Sequence, residues 1–299
     1  MNKRITEEVN ANTENIDEMN ALEIATMMWK EDQSIYHGID SCLSDIAKAI
    51  DMIVDRWQQG GRVFVVGAGT SGRIGVLDAA ELGPTFSVKA NRWMAFLAGG
   101  HEATWKPLEQ HEDNSEDIVK SLKEHELKTV DAVIGMSASG STPYSVAALT
   151  YGKEVGAATI SISCNTGTVS GDISDVNIEA IVGPEVIRGS TRLKAGTAQK
   201  MILNTISTGV MIRLGKVYKN EMIEMQLMNH KLKHRAEATL MKLADVDEQQ
   251  ATYLMELTDH HLKKALFIAL TNASLEESTF YLNKTNGHLK QAIQLFYEP

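Results

Sequence analysis

The run Val63-Phe64-Val65-Val66-Gly67-Ala68-Gly69-Thr70-Ser71-Gly72-Arg73 decides how this chain is read. Four consecutive apolar residues fit a strand buried on both faces, as in a parallel sheet. The glycines and hydroxyl residues behind them suit a tight turn into a helix. The pattern returns further on, where Ala132-Val133-Ile134-Gly135-Met136 precedes Ser137-Ala138-Ser139-Gly140-Ser141-Thr142-Pro143. Such a loop aims backbone N–H groups, hydroxyls and the positive end of a helix dipole at one point, where an anion sits. Two of them imply one ligand with a phosphate and further polar groups, held between two strand ends.

Outward from these loops, strands and helices alternate. Strands are expected near 62–66, 91–98, 130–136, 157–163 and 177–182, and helices near 71–82, 113–125, 143–155 and 193–215. That alternation predicts an α/β fold, a doubly wound, mainly parallel five-stranded sheet with helices on both faces. In such sheets ligands bind at the carboxyl ends of strands, where the strand order switches.

The flanks differ in character. Residues 1–20 are polar and aperiodic, and read as a mobile arm or a segment ordered against a partner. Two helices follow, Ala21 to Asp32 and Ser41 to Gln58, the second with Ile46, Ile50, Ile53 and Trp57 at helical spacing. After Gly215 the pattern turns wholly helical. Glu221 to Leu243 reads as one long helix, and residues 246–299 as a small three-helix module broken at Thr258-Asp259, Asn272-Ala273-Ser274 and Asn286-Gly287. The expected divisions are 1–53, 54–217, 218–245 and 246–299.

Composition narrows the function. Apolar residues make up 43% of the 299, enough for a sizeable core. A formal net charge of −10, without a long Lys/Arg cluster, argues against nucleic-acid or polybasic membrane binding. An acidic protein that takes a phosphate must use local dipoles and hydroxyls. Cys42 and Cys164 are too few for a disulfide framework or a zinc site, and read as packed small residues. His230 and His234, and the run Asp259-His260-His261, lack the ligand set of a catalytic metal site, so no metal is expected. With no apolar leader and no membrane-spanning stretch, the expectation is a cytoplasmic protein.

The remaining candidates are local. Gly67, Gly69 and Gly72 form G-x-G-x-x-G, a dinucleotide pattern that is weak alone. The acidic residue such a site needs about 20 positions on is missing, since Glu81 falls too early and Glu102 too late. Glu81 ends the helix that the first loop begins. Glu112 lies in the acidic stretch 109–117, where a charge at a helix N-terminus is favourable without any catalytic role. The segment Gly183–Lys200, with Glu185, Arg188, Arg192 and Lys194, combines small residues and cations at the start of a long apolar helix. It suits either a substrate loop or a helix start packed closely on the sheet.

Together these residues resemble a known family. The two hydroxyl loops look like those of sugar isomerase (SIS) domains, which bind phosphosugars on a flavodoxin-like sheet. Gly67–Arg73, Leu77-Asp78-Ala79-Ala80-Glu81 and Gly183–Lys200 are more specific. They resemble the N-acetylmuramic acid 6-phosphate etherases, relatives of the glucokinase regulatory protein, over nearly the whole chain. Arg188 departs from the pattern, which expects a small residue there.

The resemblance implies a cofactor-independent lyase that cleaves the D-lactyl ether of N-acetylmuramic acid 6-phosphate by elimination and hydration, in cell-wall sugar recycling. It implies a homodimer with a phosphosugar substrate and a UBA-like C-terminal module. By residue it makes Glu81 the proton donor to lactate and Glu112 the second catalytic residue, the base at C2. It places Ser137, Ser139 and Thr142 against the phosphate, with Thr70 and Ser71 on the sugar or phosphate and Ser141 among the substrate-binding residues. Lys194 and Glu185 are further contacts. Two other readings stay open at this point: a sugar-phosphate isomerase, which releases no lactate, and a non-enzymatic sugar-phosphate sensor acting on a kinase.

Overall fold

The computed structural model describes residues 4–227 and 230–298. The chain forms two compact units. One holds the residues up to Ala80 and Ala90–Ser207, the other Glu81–Lys89 and the chain from Thr208 onward. The helices that precede the sheet thus belong to the sheet's own unit.

In the first unit, α1 (Ala21–Asp40) and α2 (Leu43–Gln58) lead into β1 (Val63–Gly67) and α3 (Gly69–Phe86), whose last turns pass into the second unit. Then follow β2 (Trp93–Leu97), α4 (Ser115–Glu124), β3 (Ala132–Met136), α5 (Pro143–Val155), β4 (Ala158–Ser163), α6 (Val169–Ile173), β5 (Val176–Glu179) and α7 (Lys194–Arg213). All five strands run parallel, in the order β2-β1-β3-β4-β5. The order reverses at β1, and Gly67 at its end pairs with Met136 at the end of β3. The two hydroxyl loops therefore leave the sheet side by side, at the point where an open parallel sheet leaves a crevice.

Burial follows from the sequence pattern. β1, β3 and β4 are buried at every residue. Phe64, Val66 and Val133 meet Ile118 and Leu122 of α4 and Ala148 and Leu149 of α5 in one apolar layer. Gly135 lets α5 approach, since a Cβ there would stand 2.6 Å from Leu149 Cδ1. On the other side α2 packs on β4 and β5.

α1 runs two turns beyond the expected end at Asp32. Asn20 and Glu23 close its start in a reciprocal capping box. Gly38 lets its last turn pass Ile181, whose carbonyl oxygen would lie 2.8 Å from a Cβ. The arm before it is a second difference. Where a mobile arm or a segment ordered against a partner is expected, residues 4–19 form three short 3-10 turns held on this chain's own polar groups. Asn165 Nδ2 donates to Thr6 Oγ1 (3.1 Å) and to the Ala138 carbonyl (2.9 Å). Thr13 Oγ1 donates to the Val186 carbonyl (2.9 Å), and Asn10 Nδ2 to Glu31 Oε2 (2.6 Å).

The second unit corrects two expectations. No helix spans Glu221–Leu243. Lys219, at φ +55°, turns β6 (Val217–Tyr218) back against β7 (Glu221–Met222), and α8 (His230–Ala244) begins later. Met228 and Asn229, part of the expected helix, lie outside the described residues. The C-terminal module has four helices, not three: α9 (Glu248–Leu257), α10 (Leu262–Thr271), α11 (Leu275–Lys284) and α12 (Leu289–Tyr297). Three breaks delimit four segments, and each break holds left-handed residues: Asp259 and His260, Asn272, then Asn286 and Gly287. Asp247 and Ser274 cap α9 and α11. Leu240, Leu254, Leu266, Phe267, Leu282 and Ala292 form the unit's core.

At its edge Glu224 takes charge-assisted bonds from Lys216 (2.5 Å) and Lys263, and Lys263 also donates to the Gly287 carbonyl (2.8 Å). Burial alone would raise the Glu224 carboxyl, but the two ammonium groups hold it below its ordinary value. No helix among the described residues is long and apolar enough to cross a membrane.

The contact at Gly135 is testable. Gly135→Ala forces a methyl into Leu149 and is expected to cost about 1–3 kcal/mol by overpacking. Urea unfolding checks this: the midpoint falls while the slope stays that of the parent.

Candidate active site

The first loop is built by close packing. A Cβ on Gly72 would stand 2.4 Å from the Gly67 carbonyl oxygen and 2.5 Å from Leu97 Cδ1, so only glycine lets α3 start against the strand end. Gly69 opens α3 at φ +51°, two residues earlier than expected. Ser71 Oγ donates to Gln199 Oε1 of α7 (2.8 Å).

The second loop is a closed set of hydroxyls. Ser137 Oγ is bonded to Thr142 Oγ1 (2.8 Å) and Ser139 Oγ (3.1 Å), and Ser139 Oγ to Ser141 Oγ (3.1 Å). The Gly140 amide also donates to Ser137 Oγ (3.1 Å). Gly140, at φ +67°, leaves room for Thr168, which a Cβ would meet at 2.3 Å. Pro143 then starts α5, whose N-terminus points into the loop.

Both loops open into one cavity of about 420 Å³, lined by Thr70, Ser71, Ser139 and Thr142 among others. Arg4 of the N-terminal arm lines it too, and its guanidinium donates to Ser141 Oγ at 2.5 Å. Nothing in the sequence flagged Arg4, because the arm carries no periodicity and its partner lies 137 residues away.

Glu112 belongs to the same cavity. It follows a short turn at Glu109–His111, and its carbonyl accepts the Tyr144 amide of α5 (3.1 Å). Its Oε1 stands 3.0 Å from where a Gly69 Cβ would be, so the carboxyl lies directly over the first loop. Burial raises its pKa above the ordinary value, and Glu109 and Asp113 add to the shift against the opposing charge of Arg73. Arg73 is held by the carbonyls of Ala103 (3.0 Å) and Lys106 (3.1 Å).

Other candidates lie elsewhere. Glu81 is exposed and does not line this cavity. It sits twelve residues beyond Gly69 on α3, about 18 Å along the axis at 1.5 Å per residue. Lys194 is buried, with Nζ 3.1 Å from Glu31 Oε2. The Lys194 and Ala195 amides donate to the Glu185 carboxylate (2.9 and 3.0 Å), so Glu185 caps α7. Burial nonetheless pushes the Glu185 carboxyl above its ordinary pKa. Of the Gly183–Lys200 segment, Ser190, Thr191 and Arg192 reach the cavity instead. Arg188 binds the arm, its Nε donating to the Glu7 carbonyl (2.8 Å). Cys42 and Cys164 are buried, and burial pushes both thiols up, Cys42 to about 11.

The arrangement can hold a phosphate on hydroxyls, amides and one guanidinium, beside a carboxyl suited to accept a proton. The raised Glu112 carboxyl has a consequence for stability. The native state holds that proton more tightly than the unfolded chain, so stability falls as pH rises through the ordinary value of 4.5 and beyond. Glu112→Gln removes the ionisation, so the variant is expected to melt above the parent at about pH 8 and to match it near pH 4, measured by calorimetry.

Comparison with known proteins shows what the chain is similar to. The family model of the glucokinase regulatory protein N-terminal SIS domain matches residues 45–153, and that of a UBA-like domain matches 265–299. A phosphoheptose isomerase from Francisella tularensis shares the fold, with a TM-score of 0.50 at 17% identity over 64% of this chain and 98% of that one. N-acetylmuramic acid 6-phosphate etherase 2 of Bacillus licheniformis is 53% identical over 87% of each chain. Etherase 1 of Enterococcus faecalis is 46% identical over 84% of each. The Bacillus subtilis etherase is 43% identical over 88% of this chain and 86% of its own. At such identity along most of both lengths, the chain belongs to the N-acetylmuramic acid 6-phosphate etherase family.

Proposed function

We propose that this protein cleaves the D-lactyl ether of N-acetylmuramic acid 6-phosphate, giving N-acetylglucosamine 6-phosphate and D-lactate. The observation that carries the reading is Glu112 beside the hydroxyl loop in one cavity. The phosphate rests on Ser137, Ser139, Ser141 and Thr142, with Arg4 on its outer side, and Thr70 and Ser71 face the sugar. In the open-chain sugar the C2 proton is α to the aldehyde. Glu112 takes that proton, and its raised pKa makes it a stronger base than an ordinary carboxylate. The C3–O bond breaks as the ether oxygen is protonated and lactate leaves. Water then adds to the unsaturated aldehyde with the proton transfers reversed. No step needs a metal or cofactor. Lys194 acts at one remove, fixing the start of α7 through Glu31 and Glu185. A phosphorylated sugar does not cross a bilayer unaided, so the protein works in the compartment where the sugar phosphate is made, in this reading the cytoplasm.

The proton donor to lactate is Glu81. Because Glu81 is exposed and absent from the cavity lining, the active form is a homodimer in which each copy supplies Glu81 to its partner's site.

Two measurements test this. Incubation with N-acetylmuramic acid 6-phosphate is expected to release D-lactate and N-acetylglucosamine 6-phosphate in equal amounts, and Glu112→Gln to lower kcat by about 100-fold or more. Rearrangement of a sugar phosphate without lactate release would favour an isomerase. Mixing the inactive variants Glu81→Gln and Glu112→Gln under subunit exchange tests the shared site. Half the dimers are then mixed, each with one intact site, and about a quarter of the activity returns. No recovery from mixed dimers would place Glu81 and Glu112 in one chain's site, or remove Glu81 from the mechanism.

A further inference from the structure

The proposed substrate carries two anionic groups, and the hydroxyl loop accounts for only one of them. The lactyl carboxylate hangs from C3, next to the carbon that Glu112 deprotonates. It must enter a cavity already lined by Glu7, Glu109 and Glu112, in a chain of net charge −10. An anion in such surroundings needs its own cation.

Three arginines line the cavity. Arg4 is engaged with Ser141 on the hydroxyl loop. Arg73 is committed to the carbonyls of Ala103 and Lys106. Arg192 has no hydrogen-bond or ion-pair partner among the described residues.

The backbone around Arg192 is fixed although its side chain is unengaged. Glu185 caps α7 directly behind it, and the turn 187–193 closes on itself through Ser190 N to Ile187 O (2.9 Å) and Leu193 N to Ser190 O (3.2 Å). Gly196 lets this segment press on the first loop, where a Cβ would come 3.1 Å from Thr70 Cγ2. Arg192 is thus held by the segment packed on Thr70, next to the loop that Glu112 overhangs.

We propose that Arg192 binds the lactyl carboxylate of the substrate and so sets the preference for the ether over the plain phosphosugar. The inference rests on the etherase reading above. A planar guanidinium with two parallel donors matches a carboxylate in a way a lone ammonium does not. On cleavage the carboxylate leaves with lactate, and Arg192 holds nothing of the sugar product. Arg192 therefore distinguishes substrate from product, whereas the hydroxyl loop binds both alike.

The test separates this inference from the reading beneath it. Affinities for N-acetylmuramic acid 6-phosphate and N-acetylglucosamine 6-phosphate are measured by calorimetry in the Glu112→Gln background, where turnover is slowed about 100-fold or more. Adding Arg192→Gln is expected to weaken the first by about tenfold or more and to leave the second within about twofold. Arg192→Lys is expected to recover only part of the loss. In otherwise native protein, Arg192→Gln raises KM for lactate release by a similar factor. Equal weakening of both ligands, or of neither, overturns the assignment. Failure of the parent to release lactate sinks the etherase reading alone, since the two affinities still report on Arg192.

Discussion

The pairing of Gly67 with Met136 is the constraint on which the site depends. It sets the ends of β1 and β3 level, so two loops from distant parts of the sequence leave the sheet as neighbours. Each loop alone is a common βα turn. Side by side at the reversal of strand order, they aim two helix N-termini and a set of hydroxyls into one crevice. Glycine makes the geometry: Gly72 lets α3 start against the strand, Gly140 lets the second loop lie on Thr168, and Gly69 leaves space for the Glu112 carboxyl.

An acidic chain can hold an anion there because the attraction is local. Arg4 and Arg192 reach the cavity from segments far apart in sequence, while Lys194, the buried cation of the Gly183–Lys200 segment, is spent on Glu31. The buried ion pair does not stabilise the fold by much on balance. Its service is to fix where α7 begins, and therefore where Ser190, Thr191 and Arg192 stand.

β1, β2 and β3 were legible from short, mostly unbroken apolar runs, and β4 and β5 from apolar residues that alternate with polar ones. Their helices were legible from spacing. The hydroxyl loops could be read residue by residue, since loop chemistry is local. The β6–β7 hairpin was not: Tyr218-Lys219-Asn220 carries a weak turn signal, and the Met and charged residues after it favour a helix by propensity. The arm was misread for another reason. Thr6, Asn10 and Thr13 bind through single polar contacts to residues more than 150 positions away or to α1, and such contacts leave no periodic trace. The exposed position of Glu81, a helix length from the loop, also lies beyond what spacing alone conveys.

The arm's long-range contacts bear on how the chain is made. Thr6, Asn10 and Thr13 leave the ribosome before the groups that hold them, at Asn165, Pro184 and Val186, which come 159 to 174 residues later. At roughly 5–20 residues per second, the arm waits about 8–35 s before it can dock. An apolar segment left bare for that time would invite association with other nascent chains. Asparagine, threonine and glutamate wait in water at little cost, then trade those waters for protein partners. The polarity that hides the arm from sequence patterning is what lets the first-made part of the site be the last to close.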